Sequence, residues 1–200
     1  MVSKQVKRPD AMKDVGDYLT PENVKAIFDV AHNHNYRNYL ILFLLLRTGR
    51  RISELLQLKP QDIDKEQRMI LWNILKKKQE YKRWKAVDES TYDKLIQYID
   101  EKEIKPNEYV FYSPYKGRNA HLTRFNVWQF LNKYLKELGI KAHPHTFRHT
   151  FAVWIARNMQ HPSDLIKLQN LLEHEDVKVT QFYLQFAPEE SRNLLESTFN

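Results

Sequence analysis

The 200-residue sequence predicts a mainly helical α+β domain with one small, three-stranded antiparallel sheet. Three observations predict it. Apolar residues recur at helical spacing over most of the chain, the segments they form carry start and stop residues at their ends, and one pair of aromatic, β-branched runs flanks a turn-like stretch.

In chain order, residues up to about Tyr18 read as a loose leader, with the folded domain running from 19 to 200. Thr20 is set to cap a helix whose first turn takes Pro21, where a missing N–H costs nothing. A second helix carries "LILFLLL" from Leu40 to Leu46 and stops at Gly49. "RRISELLQL" spaces Ile52, Leu55 and Leu56 helically and ends at Pro60. "MILWNIL" and "YKRWKAV" flank "KKKQE" as a hairpin, and "YVFY" from Tyr109 to Tyr112 supplies the third strand. Ser90 with Asp93 opens another helix, and Thr123 opens an aromatic amphipathic one ending near Gly139. From Thr146 the pattern is helical again: "TFRHTFAVWIARNM", "SDLIKLQNLL", a turn around Val177 to Leu184, and "PEESRNLLEST". No internal repeat and no low-complexity segment beyond Lys76 to Lys78 interrupts this order.

Composition narrows the partners. A formal net charge of +7 favours an anionic partner, nucleic acid first. Eleven tyrosines, ten phenylalanines and four tryptophans belong to a chain that folds rather than to a basic tail. With no cysteine, disulfides and thiolate metal sites are excluded. The longest apolar run, seven residues, falls short of the about 20 that a helix needs to span a bilayer. The N-terminus has basic charge without an apolar core, so no signal peptide and no membrane association are expected, and a cytoplasmic location is the default.

The chemistry concentrates in "HPHTFRHTFA", His143 to Ala152. His145, Arg148 and His149 recur at intervals of three and four residues and share one helix face. His145 and His149 have the spacing of two zinc ligands, but the glutamate of a metalloprotease motif is lacking and Arg148 would repel a dication, so no metal is expected. A second reading packs His149 and Phe151 inward and leaves His145 and Arg148 solvated. In a third, the planar fork of Arg148 grips phosphate oxygens beside imidazoles that donate or move protons.

"RTGRRISELL" adds Arg50 and Arg51 where one helix ends at Gly49 and another begins, with Glu54 three residues on to hold the Arg51 guanidinium. Alone, such side chains are ordinary surface charge. "LLEHEDVKVTQFYLQF" adds His174 and Tyr183, and a lone tyrosine is most often packing.

Taken in this order, the three segments resemble the tyrosine recombinases, the phage-integrase and Xer-type family of DNA breaking-rejoining enzymes. "TGRRISELLQL" is similar to the family's first-arginine box, with Arg51 as the arginine and Glu54 as the acidic residue. "PHTFRHTFA" is similar to its His-x-x-Arg box, giving His145 and Arg148 with His149 in support. "LLEHEDVKVTQFY" is similar to its last box, giving His174 and the nucleophile Tyr183. The resemblance covers Leu19 to the C-terminus and implies the family's catalytic-domain fold. The family also sets a lysine in a β-hairpin turn: counting back from Ala86 and Val87 selects Lys78, counting forward from the preceding strand selects Lys77, and Lys76 is the third choice. Lys78 is preferred.

The resemblance implies that the Tyr183 oxygen attacks a phosphodiester of double-stranded DNA, giving a 3′-phosphotyrosine and a free 5′-hydroxyl. Arg51 and Arg148 would neutralise the non-bridging oxygens, with His145 as base toward Tyr183, His174 donating, and the turn lysine protonating the leaving oxygen. The ester keeps the bond energy, so no cofactor and no small-molecule substrate are implied. It further implies site-specific recombination or integration by dimers or tetramers on DNA, with Leu194, Leu195 and Phe199 able to pack either on a neighbouring copy or on their own core. Two departures stand out. Glu173 occupies a position that is usually glycine, so its carboxylate should point away from the phosphate. Only about eighteen residues precede the catalytic domain, so the family's N-terminal helical domain is expected to be lacking. The competing classes are a type IB topoisomerase-like enzyme with the same chemistry and a non-catalytic DNA-binding regulator that keeps the fold.

Overall fold

A computed structural model describes residues 18–75, 80–161, 163–173 and 180–187. Helix α1 (Pro21–His34) starts as its sequence dictates, with the Thr20 side chain accepting the Asn23 N–H at 3.2 Å and Pro21 in the first turn. Asn35, in extended conformation, ends α1 and caps α2 (Tyr36–Thr48). Helix α2 is apolar nearly all round, so it lies in the interior, with Leu40, Ile41, Leu42, Leu44 and Leu45 fully buried. It stops at Gly49, whose φ of +62° suits a residue without a Cβ.

Helix α3 is one turn, Ile52–Leu55, shorter than the "RRISELLQL" pattern predicts. Leu55, Leu56 and Leu58 are all buried, and the helix is cut short where the Leu58 carbonyl turns away to accept the Val110 N–H at 2.9 Å. A 3₁₀ turn at Pro60–Asp62 then leads into the sheet.

Strands β1 (Ile63–Asp64), β2 (Met69–Leu75) and β3 (Glu80–Ala86) form an antiparallel sheet in that order, with Ile63 opposite Ile70 and Leu71 opposite Trp84. Ile70, Trp72 and Ile74 alternate into the core along β2. The hairpin is where the sequence predicts it, but the third strand is not "YVFY". Ile63–Asp64 takes that edge because the Asp64 side chain accepts the N–H groups of Glu66 and Gln67, closing a tight turn into β2. Val110 and Phe111 are fully buried and bonded to Leu58 and Leu122, while Tyr112 opens a separate pair, β4 (Tyr112–Ser113) with β5 (Gly117–His121).

Helix α4 (Glu89–Glu101) is capped by Asp88, not Ser90: the Asp88 carboxylate reaches the Thr91 N–H and hydroxyl. Helix α5 (Arg124–Leu138) runs from Thr123 to Gly139 as predicted. Helix α6 (Pro144–Arg157) begins before Thr146, because Pro144 fits a first turn and the Thr146 hydroxyl accepts the His143 N–H. Helix α7 (Ser163–Leu172) and a 3₁₀ turn (Phe182–Phe186) complete the described elements. "PEESRNLLEST", the leader through residue 17 and residues 177–179 of the predicted Val177–Leu184 turn lie outside the described residues. Among the described residues no helix is long and apolar enough to cross a membrane.

The buried residues form two clusters with α6 between them. Phe147 joins the core of α1, α2, α4, α5 and the sheet, whereas Ala152, Val153 and Ala156 join that of α7 and the 3₁₀ turn. Between these cores, residues Thr146 to Thr150 of α6 are all buried.

Gly49 offers a direct test. A Cβ there would lie 2.5 Å from the Phe151 ring, while one on Gly139, also left-handed, would meet nothing within 4 Å. Gly139→Ala should cost the conformational about 1–2 kcal/mol, and Gly49→Ala a further about 1–3 kcal/mol for overpacking, measured by urea denaturation.

Candidate active site

Arg51 sits at the start of α3 because Glu54 holds it at two points. The buried Glu54 carboxylate accepts the Arg51 backbone N–H at 3.1 Å and its Nη1 at 2.9 Å. It also faces the Leu75 N–H, tying α3 to β2. The Arg51 side chain keeps about a third of its surface open, while that of Glu54 has none.

Arg148 lies on α6 and is buried, against the reading that left it solvated. Its Nη1 donates to the Gly49 carbonyl at 2.6 Å and its Nη2 to the Leu172 carbonyl at the end of α7. Burial, then the charges of Arg51 and Arg50, pull its pKa down to about 9, with Glu54 and Tyr183 acting the other way; it stays cationic at neutral pH. His145, one turn earlier, sets its ring parallel to that of His143. Surrounding protein desolvates it, and Arg148, His143 and Arg51 repel a further charge, so its pKa falls to about 4 and the imidazole is neutral at pH 7.

Tyr183 lies in the 3₁₀ turn, buried at 4% exposure, with its hydroxyl 3.1 Å from Nδ1 of His149. Among the described residues, the imidazole seen within hydrogen-bonding distance of the phenol is that of His149. Phe182 and Phe186 pack against the His149 ring, and Tyr18 packs edge-on against Phe186. Burial pushes the Tyr183 pKa up to about 12, and the Arg148 charge opposes that rise.

Two further residues surround the end of α7, and sequence reasoning assigned neither this place. Arg50 is 2% exposed, over Trp72, and donates to the Leu171 carbonyl; only its position beside Gly49 hinted at a role. Glu173 follows α7 with a φ of +54°, the conformation that explains why glycine is usual there and that costs a side-chain-bearing residue about 1–2 kcal/mol. Its carboxylate is turned to β3: Tyr81 Oη donates at 2.9 Å, and Lys85 Nζ and Arg83 Nη1 pair with it at 2.7 and 3.5 Å. Burial works to raise its pKa, but the bonds from Lys85 and Tyr81 and the Arg83 charge hold it below the usual carboxylate range.

The structure thus gathers Arg51, Glu54, Arg148, His149 and Tyr183 into one electrostatic cluster, with His145 at its exposed side. Lys76, Lys77, Lys78 and His174 lie outside the described residues, as do Leu194, Leu195 and Phe199. Three guanidinium groups against the one buried carboxylate of α3 make a site for an anion, and the phenol beside Arg148 makes it one that can hold a nucleophile.

Mainly helical, with a phenol and a buried arginine meeting at one anion site, the protein has the architecture of a DNA breaking-rejoining catalytic domain. It belongs to the phage integrase family, whose sequence model matches residues 17–190. The tyrosine recombinase XerA of Pyrococcus horikoshii is 30% identical over 195 residues, covering 97% of this chain and 65% of the relative. XerC of Bacillus pumilus is 30% identical over 200 residues, covering 94% and 63%. A crystal structure of XerA recombinase superposes with a TM-score of 0.69 at 27% identity, over 93% of this chain and 66% of that one. XerH bound to palindromic difH substrate, a post-cleavage complex, gives 0.71 at 22% identity, over 94% and 54%, a likeness of fold. The chain spans about two thirds of the length of the curated relatives it matches.

The depressed pKa of His145 has a consequence for stability. Between the ordinary value of 6.5 and about 4, the unfolded chain takes up a proton that the native ring does not. Stability should therefore fall as pH drops through that window, and His145→Gln should remove part of the fall. Urea denaturation at pH 7 and pH 5 measures this, and an NMR titration of the His145 ring that moves near 6.5 would contradict it.

Proposed function

We propose that this chain is the catalytic part of a site-specific DNA recombinase or integrase, cutting and rejoining duplex DNA through a 3′-phosphotyrosine. Family membership and the net charge of +7 support the reading. The observation that carries it is that α6 joins three distant stretches of sequence: Arg148 is bonded to the Gly49 carbonyl, two residues before Arg51, and the adjacent His149 lies 3.1 Å from the Tyr183 hydroxyl.

In this reading the scissile phosphate sits against Arg51 and Arg148, which stabilise the charge that builds on its non-bridging oxygens. The Tyr183 oxygen bonds to phosphorus as the bond from phosphorus to the 5′-oxygen breaks. The phenolic proton passes to His149, which the 3.1 Å contact favours over His145, and the leaving oxygen takes a proton from the turn lysine, Lys78 in preference to Lys77 or Lys76. His145 and His174 donate to the phosphate. Double-stranded DNA is the partner, copies of the chain assemble on it, and the setting is the cytoplasm.

Wild-type protein incubated with a nicked duplex should yield a covalent adduct on a denaturing gel, and Tyr183→Phe should yield none. Arg148→Ala should slow adduct formation by about 3 kcal/mol of transition-state stabilisation, the scale of a lost oxyanion donor. Duplex binding with no adduct from wild type would instead identify a non-catalytic DNA-binding protein.

A further inference from the structure

We propose that Glu173 is a positioning residue for Arg148: its carboxylate latches the end of α7 to β3 and thereby fixes the Leu172 carbonyl on which the guanidinium is hung. The inference rests on the reading of Arg148 as a phosphate-binding group and adds to it a residue at a position where the family usually has glycine.

Three cations, from β3, α6 and the link between α2 and α3, meet consecutive carbonyls at the end of α7. Lys85 Nζ of β3 donates to Asn170 at 2.7 Å, Arg50 to Leu171 and Arg148 to Leu172. A helix C-terminus favours such cations, since its last carbonyls have no helical donor. Glu173 adds a carboxylate at the same end, and it takes Lys85, Arg83 and the Tyr81 hydroxyl, all on β3. Lys85 therefore joins α7 to the sheet twice, through the Asn170 carbonyl and through the carboxylate.

The Leu172 carbonyl belongs to the peptide unit that ends at the Glu173 nitrogen. A rotation of that peptide moves the Glu173 backbone and the Arg148 bond together. Glycine would adopt the φ of +54° without strain but leave the peptide free to turn; glutamate accepts the strain, and its buried carboxylate over-determines the conformation from β3. The other Arg148 anchor, the Gly49 carbonyl, is fixed separately at the end of α2. Loss of the latch therefore tilts the guanidinium about one anchor rather than releasing it.

The test compares wild type with Glu173→Gln, Glu173→Gly, Lys85→Met and the Glu173→Gln/Lys85→Met double variant, all in the full chain. Single-turnover adduct formation on saturating nicked duplex should fall about ten- to a hundredfold in Glu173→Gln, the scale of a small misplacement of a catalytic group, with duplex affinity little changed. Lys85→Met should lose a similar factor and the double variant no more than either single one. Glu173→Gly should keep or raise the thermal midpoint yet stay slow, which separates positioning from mere stability. In ¹⁵N-arginine NMR spectra, the Arg148 Hη signals, assigned with Arg148→Lys, should be distinct in wild type and merge in the Glu173 variants. Adduct rates at the wild-type level in Glu173→Gly, multiplicative losses in the double variant, or unaltered Arg148 Hη signals would overturn the latch. Absence of an adduct from wild type would count against the recombinase reading instead, and the NMR comparison would then decide the latch by itself.

Discussion

The structure depends on the buried Arg148 guanidinium held between two main-chain carbonyls. A buried cation is costly unless its donors are met, and here Gly49 and Leu172 meet them from opposite sides. Each anchor constrains an element. Gly49 must be left-handed at the end of α2, α7 must end at Leu172, and α6 must be enclosed by both apolar clusters. The buried carboxylate of Glu54 is bonded to Arg51, so carbonyl dipoles satisfy Arg148 and its charge is left for a bound anion. A cation fixed this way needs little reorganisation when charge develops next to it, which is the condition for strong electrostatic catalysis.

The same burial decides how Tyr183 can react. With a pKa near 12, only about 10⁻⁵ of the phenol is ionised at pH 7. A phosphodiester docked on the arginines would neutralise the charge that favours phenolate, so binding substrate does not create one. In the proposed reaction this favours loss of the phenolic proton as the new bond forms over attack by a preformed phenolate. Among the described residues, His149 is the imidazole within hydrogen-bonding distance of the hydroxyl, and Phe182 and Phe186 pack against its ring.

Much of the helical framework was legible because its signals are local. Thr20 with Pro21, Gly49, and Thr123 with Gly139 each mark a boundary through the bonds of a single turn. The third strand was misplaced because two-residue strands have no periodicity: the aromatic run at Tyr109–Tyr112 looked more strand-like than Ile63–Asp64, whose pairing comes from the turn made by Asp64. Asp88 outcompeted Ser90 as a cap by a shift that pattern alone does not resolve. At the site, the residue types and their order were readable, but not the burial of Arg148. That burial is created by Gly49 and Leu172, and no property of "HTFRHTF" announces either. The contact of His149 with Tyr183 was hidden for the same reason, since it joins α6 to a turn distant in sequence.

Glu173 raised the sharpest objection that the sequence offers, a carboxylate beside a site that must bind phosphate. The objection weakens once the charges are assigned to partners. Glu173 faces Lys85 and Arg83 on β3, two cations for one anion, and Glu54 faces Arg51. Arg50 contributes a third, buried guanidinium, and its Nη1 has no hydrogen-bond partner among the described residues. It acts on the site through its field, feeling both Glu54 and Glu173 and lowering the pKa of Arg148. The local balance therefore remains positive with Glu173 present, because each buried carboxylate sits among at least as many cations. What distinguishes this chain from the glycine pattern is then geometric: an anion that does not cancel the clamp, placed where it fixes the helix end from which the clamp hangs.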